Sequence, residues 1–211
     1  MNTIEQRMIS FRIILEKMSD LVYEQLSDSF EAFYEGKKDL AVQIIDNDER
    51  VNSYEANIHL QTIEILGRMQ PLAKDLRLLI GGIRIANDLE RMGDYAKSVA
   101  KYTIKHGSVN AEIMTLIDDL NKLLLANVKA TFELFKNPSV KEAYRVAAMD
   151  DDLDANFKAL LYRIVDNKSM AIQDVLELTA VLRNIERTGD HAKNICEIVI
   201  YISNGEFIDF G

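Results

Sequence analysis

The stretch Leu89-Glu90-Arg91-Met92-Gly93-Asp94-Tyr95-Ala96-Lys97 returns 96 residues later as Ile185-Glu186-Arg187-Thr188-Gly189-Asp190-His191-Ala192-Lys193, with six of nine positions identical. A lone Glu-x-x-x-Asp carries no information, but a duplicated one inside a duplicated frame does. On a helix, four-residue spacing puts both carboxylates on one face with Cβ atoms about 5–6 Å apart, where they repel unless something positive lies between them. Outside this stretch the repeat continues with an offset of 102: Phe30, Glu31, Phe33, Ala41 and Asp48 match Phe132, Glu133, Phe135, Ala143 and Asp150. The six-residue difference falls in the loop before Pro71. Two copies are too few for a solenoid, so the repeat predicts two similar units related by a pseudo-twofold.

Each unit reads as three helices. Ile14, Met18, Leu21, Val22 and Leu26 recur at helical spacing along a first helix from about 9 to 33, and Gly36-Lys37-Lys38 interrupts it. A second helix runs from about Asp39 to Leu66, with Gly67 as its stop, and Pro71 opens a third that reaches about Lys105. The second half repeats this order: Ala111 to Phe135, a helix beyond Asn137-Pro138 to Val165, and a last one after Asp166-Asn167-Lys168 to Ser203. Short connections make consecutive helices antiparallel neighbours. The predicted architecture is all-α: two tandem, homologous three-helix bundles at 1–106 and 109–205, with a tail at 206–211 and a break at His106-Gly107-Ser108 between the halves.

Composition agrees. Two prolines, nine glycines and no tryptophan in 211 residues, with 48% hydrophobic residues, fit long helices around a packed core. A net charge of −9 without a dense basic run argues against nucleic acid and anionic membranes as partners. No apolar run reaches the roughly 18 residues needed to span a bilayer, and Glu5 and Glu16 interrupt the apolar region a secretory signal needs, so the expected compartment is the cytoplasm. The single cysteine, Cys196, reads as a core thiol.

At 100° per residue Glu90 and Asp94 share a stripe with Leu76, Ile80 and Ile83, which predicts that the acidic pair continues an apolar face and is not simply outward. The second helix offers Asp48-x-x-x-Asn52 in one half and Asp150-x-x-x-Asp154 in the other, positions an antiparallel hairpin brings opposite the Glu-x-x-x-Asp pairs. Oxygen donors without thiolate suit hard cations such as Mg²⁺, Mn²⁺, Ca²⁺ or ferric iron better than a structural zinc. The competing reading pairs Asp94 with Lys97 and Asp190 with Lys193, but such pairs contribute only about 0.2–0.5 kcal/mol each. Gly93 and Gly189, mid-helix, each cost about 1 kcal/mol relative to alanine, so something approaches the backbone there: a ligand group or a packed helix. His191 is opposite Tyr95 in the repeat and so is no repeat-wide ligand, while His59 and His106 read as surface or helix-end residues. The chain has no Glu-x-x-His of the di-iron bundles, no phosphate loop and no legible nucleophilic triad.

Taken together, Gln70-Pro71-x-Ala73-x-Asp75-Leu76-Arg77, Asp48-x-x-Val51-Asn52 and both Glu-Arg-x-Gly-Asp motifs resemble the PhoU family of phosphate-transport accessory regulators over nearly the whole chain. The resemblance implies metal clusters on the bundle surfaces, with Glu90, Asp94 and Asp48 as ligands in the first half and Glu186, Asp190, Asp150 and Asp154 in the second. The metal it implies is a divalent or trivalent ion: Mg, Mn, Fe or Zn. Asn52 replaces a carboxylate of the pattern, which predicts a weaker first site, and the second half has Asn167-Lys168-Ser169-Met170 where the first has the Gln-Pro motif. The implied function is non-enzymatic: a cytoplasmic homodimeric regulator that restrains a phosphate-specific ABC transporter through its ATPase subunit, and phosphate-starvation signalling through a sensor histidine kinase. Two alternatives stand beside it, an accessory subunit of a different phosphate transporter and a metal-dependent phosphoester hydrolase.

Overall fold

A computed structural model describes residues 3–106, 111–168 and 170–211. Gly107 and Ser108 of the expected break, and Ser169, lie outside the described residues. Among those described, all regular structure is helical: α1 (Ile4–Glu35), α2 (Lys38–Arg68), α3 (Ala73–His106), α4 (Ala111–Lys136), α5 (Val140–Ala147), α6 (Met149–Val165) and α7 (Ile172–Asn204).

Local chemistry sets the helix ends. Thr3 and Gln6 form a reciprocal capping box at the start of α1, and Gly36 ends that helix with φ of 63°. Ser139 caps α5 through the Glu142 amide. Where one second-half helix was expected there are two, because a turn at Ala148 separates α5 from α6. No glycine or proline marks this turn. The interruption is slight, since Ala148 keeps helical dihedrals and its amide still bonds the Tyr144 carbonyl, and it sets Asp150, Asp151 and Asp152 in the first turn of α6, where the helix dipole favours negative charge.

Helices α1–α3 form one half and α4–α7 the other. Between them α3 and α7 lie antiparallel: Lys105 reaches Glu177, Ser98 accepts from Asn184, and Arg77 donates to the Ile202 carbonyl. Tyr95 and His191, which hold the same place in the repeat, face each other with ring centroids 5.7 Å apart. The pseudo-twofold passes between them. One apolar core continues across this contact, from Phe11, Leu26 and Phe30 through Leu89 and Met92 to Ile185, Ile195 and Leu153. Cys196 is fully buried within it and its thiol is pushed up to about 12 by burial. The tail folds back: the Phe210 amide donates to Glu197 and its ring packs edge-on against Tyr144.

The expected apolar stripe on α3 faces outward, since Leu76 is 38% and Ile80 41% exposed. The core-facing stripe is displaced by a residue or two, through Leu78, Leu79, Ile85, Leu89 and Met92. Helix packing explains one of the two repeated mid-helix glycines, Gly189, and leaves room at the other. Val51 of α2 lies against Gly93, and its repeat counterpart Leu153 of α6 lies against Gly189. The fits differ: a Cβ on Gly93 would sit 3.4 Å from Val51 Cγ1, whereas on Gly189 it would sit 2.6 Å from Asp150 Oδ1 and collide with Leu153. Gly189→Ala should therefore destabilise the fold by about 1–2 kcal/mol through overpacking. Gly93→Ala should be neutral or stabilise by up to about 1 kcal/mol from helix propensity. Chemical denaturation of the two variants reads this difference directly.

Candidate functional site

Each half holds a lysine where the sequence suggested a different partner. Lys97 and Lys193 bypass Asp94 and Asp190 on their own helices and reach across to Asp48 on α2 and Asp150 on α6, at 2.5 and 2.8 Å. Both aspartates are buried, 3% and 2% exposed. These four residues are repeat counterparts, so one ion pair is built twice. The hydrogen bond to Asp48 raises the Lys97 pKa, and that to Asp150 raises Lys193. Burial pushes the Asp150 carboxyl upward against the pull of Lys193, and its Oδ1 has no hydrogen-bond partner.

Around each pair the other carboxylates gather. Glu186 is raised by burial, then by the negative charges of Asp190 and Asp154, with Arg187 opposing and Asp150 adding to the rise. Glu90 is raised by burial, then by Asp94, with Arg91 opposing and Glu55 and Asp48 adding. Arg91 lies 3.5 Å from Glu90 and 3.6 Å from Asp94, and Lys158 lies 3.8 Å from Asp154. The sequence reading missed Glu55. It sits seven residues after Asp48, on the same helix face, and supplies a carboxylate to the half where Asn52 lacks one. In both halves three acids act on one glutamate: Asp48, Glu55 and Asp94 on Glu90, and Asp150, Asp154 and Asp190 on Glu186.

The donor chemistry fits a hard cation, and the unpartnered Asp150 Oδ1 and the repulsion at Glu186 and Glu90 are features a cation would relieve. The side chains are not closed around a point, however: among the described residues no three His, Cys, Asp or Glu groups converge as a metal-holding set. The two lysines hold part of the positive charge there instead.

On the pseudo-twofold, His191 Nδ1 lies 2.7 Å from Asp88 Oδ1 and its Nε2 lies 3.2 Å from the Tyr95 hydroxyl. That chain joins the halves beside both acidic sets and occupies the imidazole. His59 lies 3.3 Å from Asn87, and His106, at the end of α3, pairs with Glu177 and stacks on Tyr102. Asp88 carried no sequence signal, because its repeat counterpart is Asn184.

The model of the PhoU domain matches this chain twice, at residues 15–103 and 117–199. The chain is 34% identical over 199 residues to the phosphate-specific transport system accessory protein PhoU homolog of Pseudomonas aeruginosa, covering 89% of this chain and 80% of that protein. It is 28% identical over 201 residues to the accessory protein PhoU of Escherichia coli, covering 93% and 83%. The crystal structure of PhoU from Pseudomonas aeruginosa superposes with a TM-score of 0.90 at 32% identity, covering 97% of this chain and all of that one. The phosphate transport system regulatory protein PhoU from Streptococcus pneumoniae, at 24% identity and TM-score 0.91, shares the fold.

Two outcomes test the electrostatics. Lys193→Met strands Asp150 without a counter-charge and should cost about 2–4 kcal/mol, much of it regained in Lys193→Met with Asp150→Asn; denaturant midpoints of the two variants measure this. Glu186 has its folded-state pKa raised, so its ionisation opposes folding. That cost is absent below the unfolded value of about 4.3 and complete once pH exceeds the folded value. In chelator, Glu186→Gln should raise the midpoint at pH 7 and change it little at pH 4.

Proposed function

This chain belongs to the PhoU family, and from that premise we propose that it is the accessory regulator of a phosphate-specific transport system. The two domain matches, together with relatives named for that role over most of both chains, carry the reading. It is a cytoplasmic protein that restrains uptake and phosphate-starvation signalling by binding the transporter's ATPase subunit and a sensor histidine kinase, and it works as a homodimer. Among the described residues no helix is long and apolar enough to cross a membrane, so a partner already at the membrane recruits it.

Each acidic set is a cation site in this reading. Asp150, Asp154, Glu186 and Asp190 would hold an ion in the second half, and Asp48, Glu90 and Asp94, joined by Glu55, in the first. A bound Mg, Mn, Fe or Zn ion would supply concentrated positive charge between carboxylates that otherwise repel. Lys193 and Lys97 compete for the same buried oxygens, so their amines have to yield Asp150 and Asp48 as the ion enters. Glu55 offsets the charge missing at Asn52, which removes the reason to expect a weaker first site.

The protein acts by binding and not by turnover. The three histidines are engaged by Asp88 and Tyr95, by Asn87 and Glu55, and by Glu177, and among the described residues none is paired with a serine or cysteine. Elemental analysis should find that Glu186→Gln with Asp190→Asn halves the bound metal while helical content stays intact; full retention would refute the site. Deletion of the gene should derepress phosphate-responsive transcription in phosphate-rich medium. Phosphoester hydrolysis lost with Asp94→Asn and Asp190→Asn would replace the adaptor with a hydrolase.

A further inference from the structure

Ile172, Leu176, Ala180, Arg183 and Arg187 recur on α7 at steps of three and four residues, and at 100° per residue they fall within one 80° stripe. All five are exposed, Ile172 by 80% and Leu176 by 61%. The upper part of the stripe, with Thr179 and Asn184 beside it, lines an open groove of about 310 Å³. On α6, Tyr162 and Val165 are also exposed, by 74% and 60%. Asn184 is held by Ser98 of α3, and Arg187 reaches the Tyr95 hydroxyl, so the arginine end of the groove is anchored on the contact between the halves.

The charge of this groove runs against that of the molecule. In a chain of net charge −9, neither Arg183 nor Arg187 makes an ion pair with the described residues. The repeat counterpart on α3 differs at this end. Leu76 and Ile80 keep the apolar pair, but Asn87 replaces Arg183, and Arg91, in the place of Arg187, is held by Glu90 and Asp94. Two guanidinium groups, one turn apart and reached along an apolar track, with Arg187 also touching Tyr95, match carboxylates on an amphipathic helix. The track from Ile172 to Arg187 is roughly 22 Å long, the length of a four-turn helix. Local charge governs such docking, because the field of the rest of the chain is screened beyond about 8 Å at physiological salt.

The geometry points to the α7 stripe as the docking groove for an acidic amphipathic helix of a partner protein, with apolar residues on Ile172 and Leu176 and carboxylates on Arg183 and Arg187. It rests on the adaptor reading and gives that adaptor a contact face. The test uses a synthetic helix of about 18 residues with leucines on one face and flanking glutamates, and a control with lysines in their place, titrated into the full chain with labelled isoleucine and leucine methyls. The glutamate peptide should shift Ile172 and Leu176 more than Leu76 and Ile80. Its affinity should fall about tenfold in Arg183→Glu with Arg187→Glu, and about as much for the lysine control, as loss of two charge-assisted contacts requires. Equal binding of both peptides, shifts centred elsewhere or no binding overturns the groove. So does concentration-dependent self-association lost with Leu176→Asp, which assigns the face to a second copy, or binding of anionic phosphatidylserine vesicles lost with the same change, which assigns it to lipid. A failed peptide titration leaves the gene-deletion phenotype standing, and an absent phenotype leaves the titration standing, so the two readings fail separately.

Discussion

The antiparallel packing of α3 on α7 is the constraint from which the rest of the structure follows. It brings the two Glu-x-x-x-Asp motifs to either side of one axis, marked by the Tyr95–His191 contact. It also merges what connectivity divides, since the apolar core runs from Phe11 and Leu89 in one half to Leu153 and Ile195 in the other. The main core belongs to both halves, and only a small cluster of Ala32, Ala41, Ile44 and Ala100 lies within the first alone. Unfolding should therefore be cooperative across the chain, and each acidic set depends on it, since each places one Glu-x-x-x-Asp pair on a central helix and its other acids on α2 or α6.

A second constraint is electrostatic. Buried carboxylates are costly unless something positive is near, and here Lys97 and Lys193 each reach one oxygen of Asp48 and Asp150, while Asp150 Oδ1 is left without a partner. Glu90 and Glu186 stay raised, by burial first and by the neighbouring carboxylates after it. This arrangement stands without a cation, and in the proposed reading a bound one would relieve it. An all-lysine solution would have held the acids more firmly and left nothing to gain.

The fold was largely legible because its two signals, helical periodicity and the repeat, are long and redundant. Boundaries failed where the sequence signal was slight: the turn at Ala148 keeps helical dihedrals and has no breaker residue to announce it. The outward position of Leu76 and Ile80 was misread because an apolar stripe alone does not distinguish a core face from an exposed one. At the site, Glu90, Asp94, Glu186 and Asp190 were visible through duplication. Glu55 was hidden, since its counterpart is Phe157, and Asp88 likewise, since its counterpart is Asn184. The partners of Lys97 and Lys193 lie on other helices, and intrahelical spacing pointed to the wrong ones.

The Tyr95–His191 contact has a meaning beyond cohesion. In a true homodimer, a residue on the symmetry axis can only meet its own copy, so any pairing there must be of like with like. Joining two equivalent units in one chain lifts that restriction. A phenol then faces an imidazole, and one flank of the axis gains the Asp88 carboxylate while the other carries Asn184. Covalent linkage thus makes the centre of the molecule directional, so that two faces alike in shape present different chemistry to whatever approaches them.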